Sequence, residues 1–176
     1  MAILQSFPMR PDAEHKAQAP RAISCFVLTV SDTRTEATDT GGAAIVELLT
    51  RAGHTVMSKA IVRDEPEQVR ALVSSRIADG RTQVIITTGG TGITSRDSTY
   101  EAVAGLLDKT LDGFGELFRM LSYDAIGPAA MMSRATAGLA GRAIVIALPG
   151  SEAAVRLAME KLILPELGHL VQQATR

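Results

Sequence analysis

The sequence predicts a three-layer α/β/α domain built on a mostly parallel sheet, and two observations carry that reading. Apolar runs suited to buried strands, at residues 23–30, 54–62, 83–86 and 143–148, alternate with segments whose apolar residues recur at helical spacing. Each run is followed by a polar or glycine-bearing loop, which places Ser31-Asp32, Asp64, the loop beginning at Gly89, and Pro149-Gly150-Ser151 beyond strand ends. A strand order of the 2-1-3-4 kind with right-handed crossovers would gather these loops at one edge of the sheet.

Taken in order, residues 1–20 carry Pro8, Pro11 and Pro20 among polar residues and read as a tail, extended or ordered only by a partner. The folded domain is expected over residues 21–176. The first strand gives way to a polar loop at 31–40 and then a helix bearing Ile45, Val46, Leu48 and Leu49, which Gly53 closes. After the second strand, Asp64-Glu65-Pro66-Glu67 opens a helix with Val69, Leu72, Val73 and Ile77 on one side. Asp64 has the residue type of an N-cap, with Glu67 three positions on. The third strand runs into a glycine loop, and Ser98-Thr99-Tyr100-Glu101 reads as a capping box that starts a helix over 100–107. Residues 114–122 form a further helix whose Phe114, Leu117, Phe118 and Leu121 make a stripe suited to the core or to a subunit contact. Residues 143–148 are the last clear strand, Pro149-Gly150 a turn and 151–162 a helix, with Pro165 interrupting the C-terminal segment.

Composition removes several functions. The 176 residues suffice for one well-buried domain and show no internal repeat. A net charge of −1 with scattered basic residues argues against nucleic-acid binding. Three histidines far apart give no zinc spacing, and the single cysteine, Cys25, lies in an apolar run where a structural thiol is expected. Without an apolar stretch of about 18 residues or a signal-peptide core, a cytoplasmic protein with no membrane partner is expected.

The chemistry concentrates in Thr87-Thr88-Gly89-Gly90-Thr91-Gly92-Ile93-Thr94-Ser95-Arg96-Asp97. Its glycines permit tight turns and close approach of backbone N–H groups to an anion. Thr88, Thr91 and Ser95 add hydroxyl donors, Arg96 a cation and Asp97 a possible metal ligand. A strand-to-helix position is the usual place for a phosphate. Spacing alone leaves a plain tight connection equally open, since there is neither a Walker lysine nor a G-x-G-x-x-G run. Arg96 is open between stabilising charge and a surface or aspartate-pairing role. Asp64 is open between capping and metal binding, and Asp97 between metal binding and complementing a helix dipole.

Five stretches, Leu28-Thr29-Val30-Ser31-Asp32, Thr88-Gly89-Gly90-Thr91-Gly92 with Arg96-Asp97, residues 113–119, Ser133-Arg134-Ala135 and Leu148-Pro149-Gly150-Ser151, together resemble the MoaB/MogA family of molybdenum cofactor biosynthesis proteins. The runs at 118–122 and 131–135 are more similar to the MoaB branch. The resemblance implies a parallel-rich sheet and assembly as a homotrimer or homohexamer. It also implies binding of molybdopterin and transfer of AMP from Mg2+-ATP to the molybdopterin terminal phosphate, releasing pyrophosphate. It places substrate-binding glycines at Gly89, Gly90 and Gly92, functional aspartates at Asp64 and Asp97, and further lining positions at Ser133, Pro149, Gly150 and Ser151. With Ser31, Asp32, Thr88, Thr91 and Arg96 these form the candidate site, in which Asp64 and Asp97 would hold the magnesium-nucleotide complex. The resemblance also admits other molybdenum cofactor biosynthesis proteins as partners. Two departures stand out: Asp39-Thr40-Gly41-Gly42 replaces a common Asp-x-Ser-Gly run, and Tyr100 stands where proline or an aliphatic residue is common. Loss of a hydroxyl at Gly41 keeps open an alternative, a molybdopterin-binding or assembly protein without catalysis.

Overall fold

The computed structural model describes residue 20 and residues 22–176; the tail expected at 1–20 lies, Pro20 apart, outside the described residues. Four strands, β1 (Ser24–Val30), β2 (Thr55–Val62), β3 (Val84–Thr88) and β6 (Ala143–Leu148), pair in parallel in the order β2-β1-β3-β6. This is the expected 2-1-3-4 arrangement. Two strands that the sequence pattern does not announce, β4 (Lys109–Thr110) and β5 (Thr136–Ala140), extend the sheet beyond β6 with antiparallel pairing.

The sheet separates two cores because side chains alternate along its strands. Cys25, Val27, Val84, Ile86, Ile144 and Ile146 face one side, where helices α1 (Thr40–Arg51), α4 (Asp112–Ile126), α5 (Glu152–Ala158) and α6 (Leu164–Ala174) cover them. Phe26, Leu28, Ile85 and Val145 face the other, under α2 (Pro66–Ala78) and α3 (Thr99–Ala104). Cys25 is buried, and burial pushes its thiol up to about 12, which removes it as a nucleophile.

Local chemistry explains where elements differ from expectation. The helix expected over 100–107 is shorter, α3 ending at Ala104 with Gly105 as its C-cap, and the capping box does not form: Ser98 stands at the N-cap without a side-chain cap bond. Glu65, not Asp64, is the N-cap of α2, because Pro66 fills the first helical turn, where a missing N–H costs nothing. Pro165 does not stop the C-terminal helix. A π-helical turn, Met159–Ile163, joins α5 to α6 and accommodates the proline at the start of the latter. In the stripe on α4, Phe118 is fully buried and Phe114 packs against the core, whereas Leu117 is exposed.

Candidate functional site

The carboxyl ends of β1, β3 and β6 open on a cleft of about 740 Å³. Ser31, Thr88, Gly89, Gly90, Thr91, Gly92, Asp97, Ser133, Pro149, Gly150 and Ser151 line it, all positions singled out in the sequence. The opposite wall is apolar, formed by Ala125, Ile126, Ala129, Met132 and Leu157 from α4, the following 3-10 turn (Gly127–Met132) and α5. A flat heterocycle with an anionic end fits such a cleft: apolar surface for the ring, N–H and hydroxyl donors for the charge.

Backbone conformation makes the donor wall. Gly89 and Gly90 hold φ of +97° and +63°, a left-handed pair that side chains resist. The Gly89 N–H donates to Leu148 O at 3.0 Å and the Thr99 N–H to Gly90 O at 2.9 Å, so the loop is stitched to β6 on one side and to α3 on the other. Thr88 Oγ1 donates to Pro149 O at 2.9 Å, fixing the turn that carries Gly150 and Ser151. Ser151 caps α5 by accepting from the Ala154 N–H.

Two aspartates brace this loop, Asp97 from the cleft lining and Asp64 from behind Gly90. Asp64 is buried; its Oδ1 accepts from the Ser98 hydroxyl at 2.8 Å and from the Ser98 N–H at 3.3 Å. The hydroxyl expected to cap α3 therefore serves Asp64. Burial raises the Asp64 pKa above its ordinary value, and the nearby charges of Asp97 and Asp32 push the same way, outweighing the Ser98 bonds. Asp97 is held in the opposite direction: its Oδ2 accepts from the Thr94 hydroxyl at 2.6 Å and the Thr94 N–H at 2.9 Å, which lowers its pKa despite some burial. The pair thus divides into one carboxylate that ionises reluctantly and one that ionises readily.

Asp64, Asp32 and Arg96 do not line the cleft. Arg96 spans the loops after β1 and β2, pairing with Asp32 at 2.9 Å and Glu65 at 3.1 Å, while Asp32 Oδ1 accepts from the Asp64 N–H. Of its open roles, Arg96 takes the aspartate-pairing one, at the surface. Arg134, beside Ser133, donates to Gly92 O at 3.0 Å, pairs with Glu101 and lies over the Tyr100 ring at 4.3 Å. Tyr100 therefore gives this chain a cation–π clamp on the arginine that holds the glycine loop. At the other departure, a Cβ at Gly41 would stand 3.3 Å from Gly150 O and 3.5 Å from Thr88 Oγ1, so a serine there would bring its hydroxyl close to the 149–151 turn.

Sequence reasoning missed two charged residues of the cleft. Asp39 lines it while capping α1 through the Gly42 N–H, accepting from Thr29 Oγ1 at 2.8 Å and pairing with Lys59 at 2.7 Å. Burial alone would raise its pKa, but Lys59, Gly42 and Thr29 together bring it below the ordinary value. Arg34, on the loop after β1, also lines the cleft. An arginine in a hydroxyl-rich loop beyond a parallel strand was the available signal. Among the described residues no three histidine, cysteine or acidic side chains converge on a metal position, and no helix is long and apolar enough to cross a membrane.

Residues 26–169 match the family model described as "Probable molybdopterin binding domain". The molybdenum cofactor biosynthesis protein B of Bacillus cereus is 54% identical over 164 residues, 93% of this chain and 97% of that protein. A crystal structure of a molybdenum cofactor biosynthesis protein B superposes with a TM-score of 0.87 at 53% identity, covering 90% of this chain and 99% of the other. The tungsten cofactor synthesizing protein MoaB from Pyrococcus furiosus does so with a TM-score of 0.79 at 38% identity, covering 90% and 100%. With its fold, its strand-end loops and its relatives in agreement, the chain belongs to the MoaB/MogA family of molybdenum cofactor biosynthesis proteins, on the MoaB side.

Proposed function

We propose that the chain binds molybdopterin in the cleft and transfers AMP from Mg2+-ATP to the terminal phosphate of that pterin. A phosphate-monoester oxygen forms a bond to the α-phosphorus of ATP, and the bond from that phosphorus to the departing pyrophosphate breaks. The nucleophile is already largely ionised near neutral pH, its second pKa being about 6, so no strong base is required. The work is positioning two anions and neutralising their charge.

The observation that supports this reading most is the glycine loop itself: a left-handed Gly89-Gly90 pair opening on the cleft, with the carboxylate of Asp97 in the lining beside Gly92 and that of Asp64 behind Gly90. The donor set fits magnesium brought in by a nucleotide. Oxygen ligands suit that ion, which prefers one or two carboxylates plus phosphates and water to a closed protein cage. The Thr99 hydroxyl, buried with no partner among the described residues, sits against Gly90 beside Asp64 Oδ2 and adds a further oxygen there. Asp64 and Asp97 would hold the ion, which supplies charge neutralisation between the phosphates.

Gly41 favours a second reading, a MoaB-type protein that binds or hands on molybdopterin without adenylylating it, since the hydroxyl beside the 149–151 turn is missing. Incubation with molybdopterin and ATP labelled at the α-phosphate separates the two. Adenylyl transfer puts the label on the pterin; the non-catalytic reading gives a bound, unlabelled pterin.

Self-association as a trimer or hexamer in the cytoplasm is part of the same proposal. Outside the cleft, Leu117, Met120, Tyr123 and Met131 on α4 and the 3-10 turn are large apolar side chains left exposed, as a contact between subunits would use.

A further inference from the structure

We infer that Arg34 is the residue that meets the phosphate of a bound substrate and sets its affinity, an inference that rests on the phosphate-binding reading of the cleft. Asp39 and Asp97 contribute two carboxylates to the cleft lining, and Arg34 is its one basic side chain among the described residues. A polyanionic substrate entering a cleft that already carries two carboxylates gains from a fixed positive charge beside the glycine-loop dipoles.

The neighbouring cations are already committed. Lys59 lies between Asp39 and Glu36 at 2.7 and 2.8 Å. Arg96 joins Asp32 to Glu65 away from the cleft. Arg134 is bound to Glu101, the Gly92 carbonyl and the Tyr100 ring. Arg34 alone of these four has no carboxylate partner among the described residues; its guanidinium makes one bond, NH1 donating to Thr38 O at 2.7 Å.

That single bond, with the loop's own geometry, orders the side chain. Ser31 Oγ accepts from the N–H groups of Thr33 and Arg34 at 3.2 Å each, and Thr38 Oγ1 accepts from the Thr35 N–H at 2.9 Å. The guanidinium is held at the cleft with four N–H donors left over, in the planar fork that matches phosphate oxygens two at a time.

The test titrates the full chain with magnesium and a non-transferable ATP analogue bridged by methylene between the α- and β-phosphorus, and separately with molybdopterin. Three variants separate charge from scaffolding. Arg34→Gln keeps a donor for Thr38 without charge and is expected to lose at least about tenfold in affinity for one of the two ligands. Arg34→Ala should lose as much. Arg34→Lys keeps the charge without the fork and should stay within about fivefold of wild type. Melting temperatures should be unchanged, and the affinity of wild type should fall with added salt more steeply than that of the Gln variant. Loss confined to the nucleotide places the contact on its phosphates, and loss confined to molybdopterin places it on the pterin phosphate; either sustains the inference. If Arg34→Gln binds both ligands as wild type does, or Lys is as impaired as Ala, Arg34 is not the phosphate contact and adenylyl transfer stands untouched. A wild type that binds neither ligand overturns the inference and the adenylyl-transfer reading together.

Discussion

The carboxylate of Asp64 occupies the space that a side chain at Gly90 would need: a Cβ built at position 90 would stand 2.9 Å from Asp64 Cγ and closer still to Oδ2. The loop that lines the cleft and the acid that braces it are therefore packed as one unit. Gly90 is further committed by a φ of +63°. Gly90→Ala should cost about 2 kcal/mol or more from the left-handed backbone and the contact with Asp64. Thermal melting should fall by about 4 to 8 °C for a domain of this size, and molybdopterin affinity should fall with it. A variant that melts and binds like wild type would show that the loop relaxes freely.

The raised pKa of Asp64 fixes a pH dependence. Because the folded state binds its proton more tightly than the unfolded chain does, stability is lost as pH rises from the ordinary value of 3.8 through the raised one. Asp64→Asn stays neutral, and its amide oxygen can still accept from Ser98. It should be at least as stable as wild type above that window, without the fall in stability that Asp64 adds across it. Urea melts at a series of pH values check this. A marked loss of stability in the Asn variant near neutrality would mean that the ionised carboxylate supports the fold.

Asp39 forecasts the opposite sign. Its pKa lies below the ordinary value, so its contribution is present above about pH 4 and is lost as pH falls through the folded value. Asp39→Ala removes the cap of α1, worth about 1 kcal/mol, and leaves the half-enclosed Lys59 with only the exposed Glu36. A combined loss of about 2 to 4 kcal/mol is expected at neutral pH, narrowing in acid. Denaturant melts of both proteins at pH about 7 and about 3 read the difference.

The exposed apolar run on α4 and the 3-10 turn should be the contact between subunits. Light scattering at micromolar protein is expected to give a mass that is a multiple of 18.6 kDa. Charging the centre of the patch with Met120→Asp and Met131→Asp should lower that mass toward the monomer without unfolding it, since both side chains are exposed. A monomeric wild type would remove the claim.

The parallel half of the sheet was legible because β1, β3 and β6 are buried on both faces and read as unbroken apolar runs. The antiparallel edge was not. Apart from Leu139, Thr136–Ala140 is made of small residues, with Gly138 pressed against the Lys109 carbonyl, and β4 has only two residues, so neither shows a periodic pattern. The lining of the cleft was legible wherever glycines and hydroxyls follow a strand. Partnerships across loops escaped. Ser98 answers to Asp64, 34 positions away, rather than to its own helix, and Arg96 reaches back 64 positions to Asp32. Such pairs depend on which strand ends the fold brings together, and nothing local in the chain records that.

Adenylyl transfer is tested most directly by measuring pyrophosphate release when the protein, in excess over molybdopterin, is mixed with saturating Mg2+-ATP. Wild type is expected to release one pyrophosphate per molybdopterin. Asp64→Asn, folded and still binding the pterin, should do so at least about tenfold more slowly, equivalent to about 1.4 kcal/mol of barrier. Molybdopterin bound at full stoichiometry by wild type with no pyrophosphate released would contradict catalysis and leave a binding protein in its place.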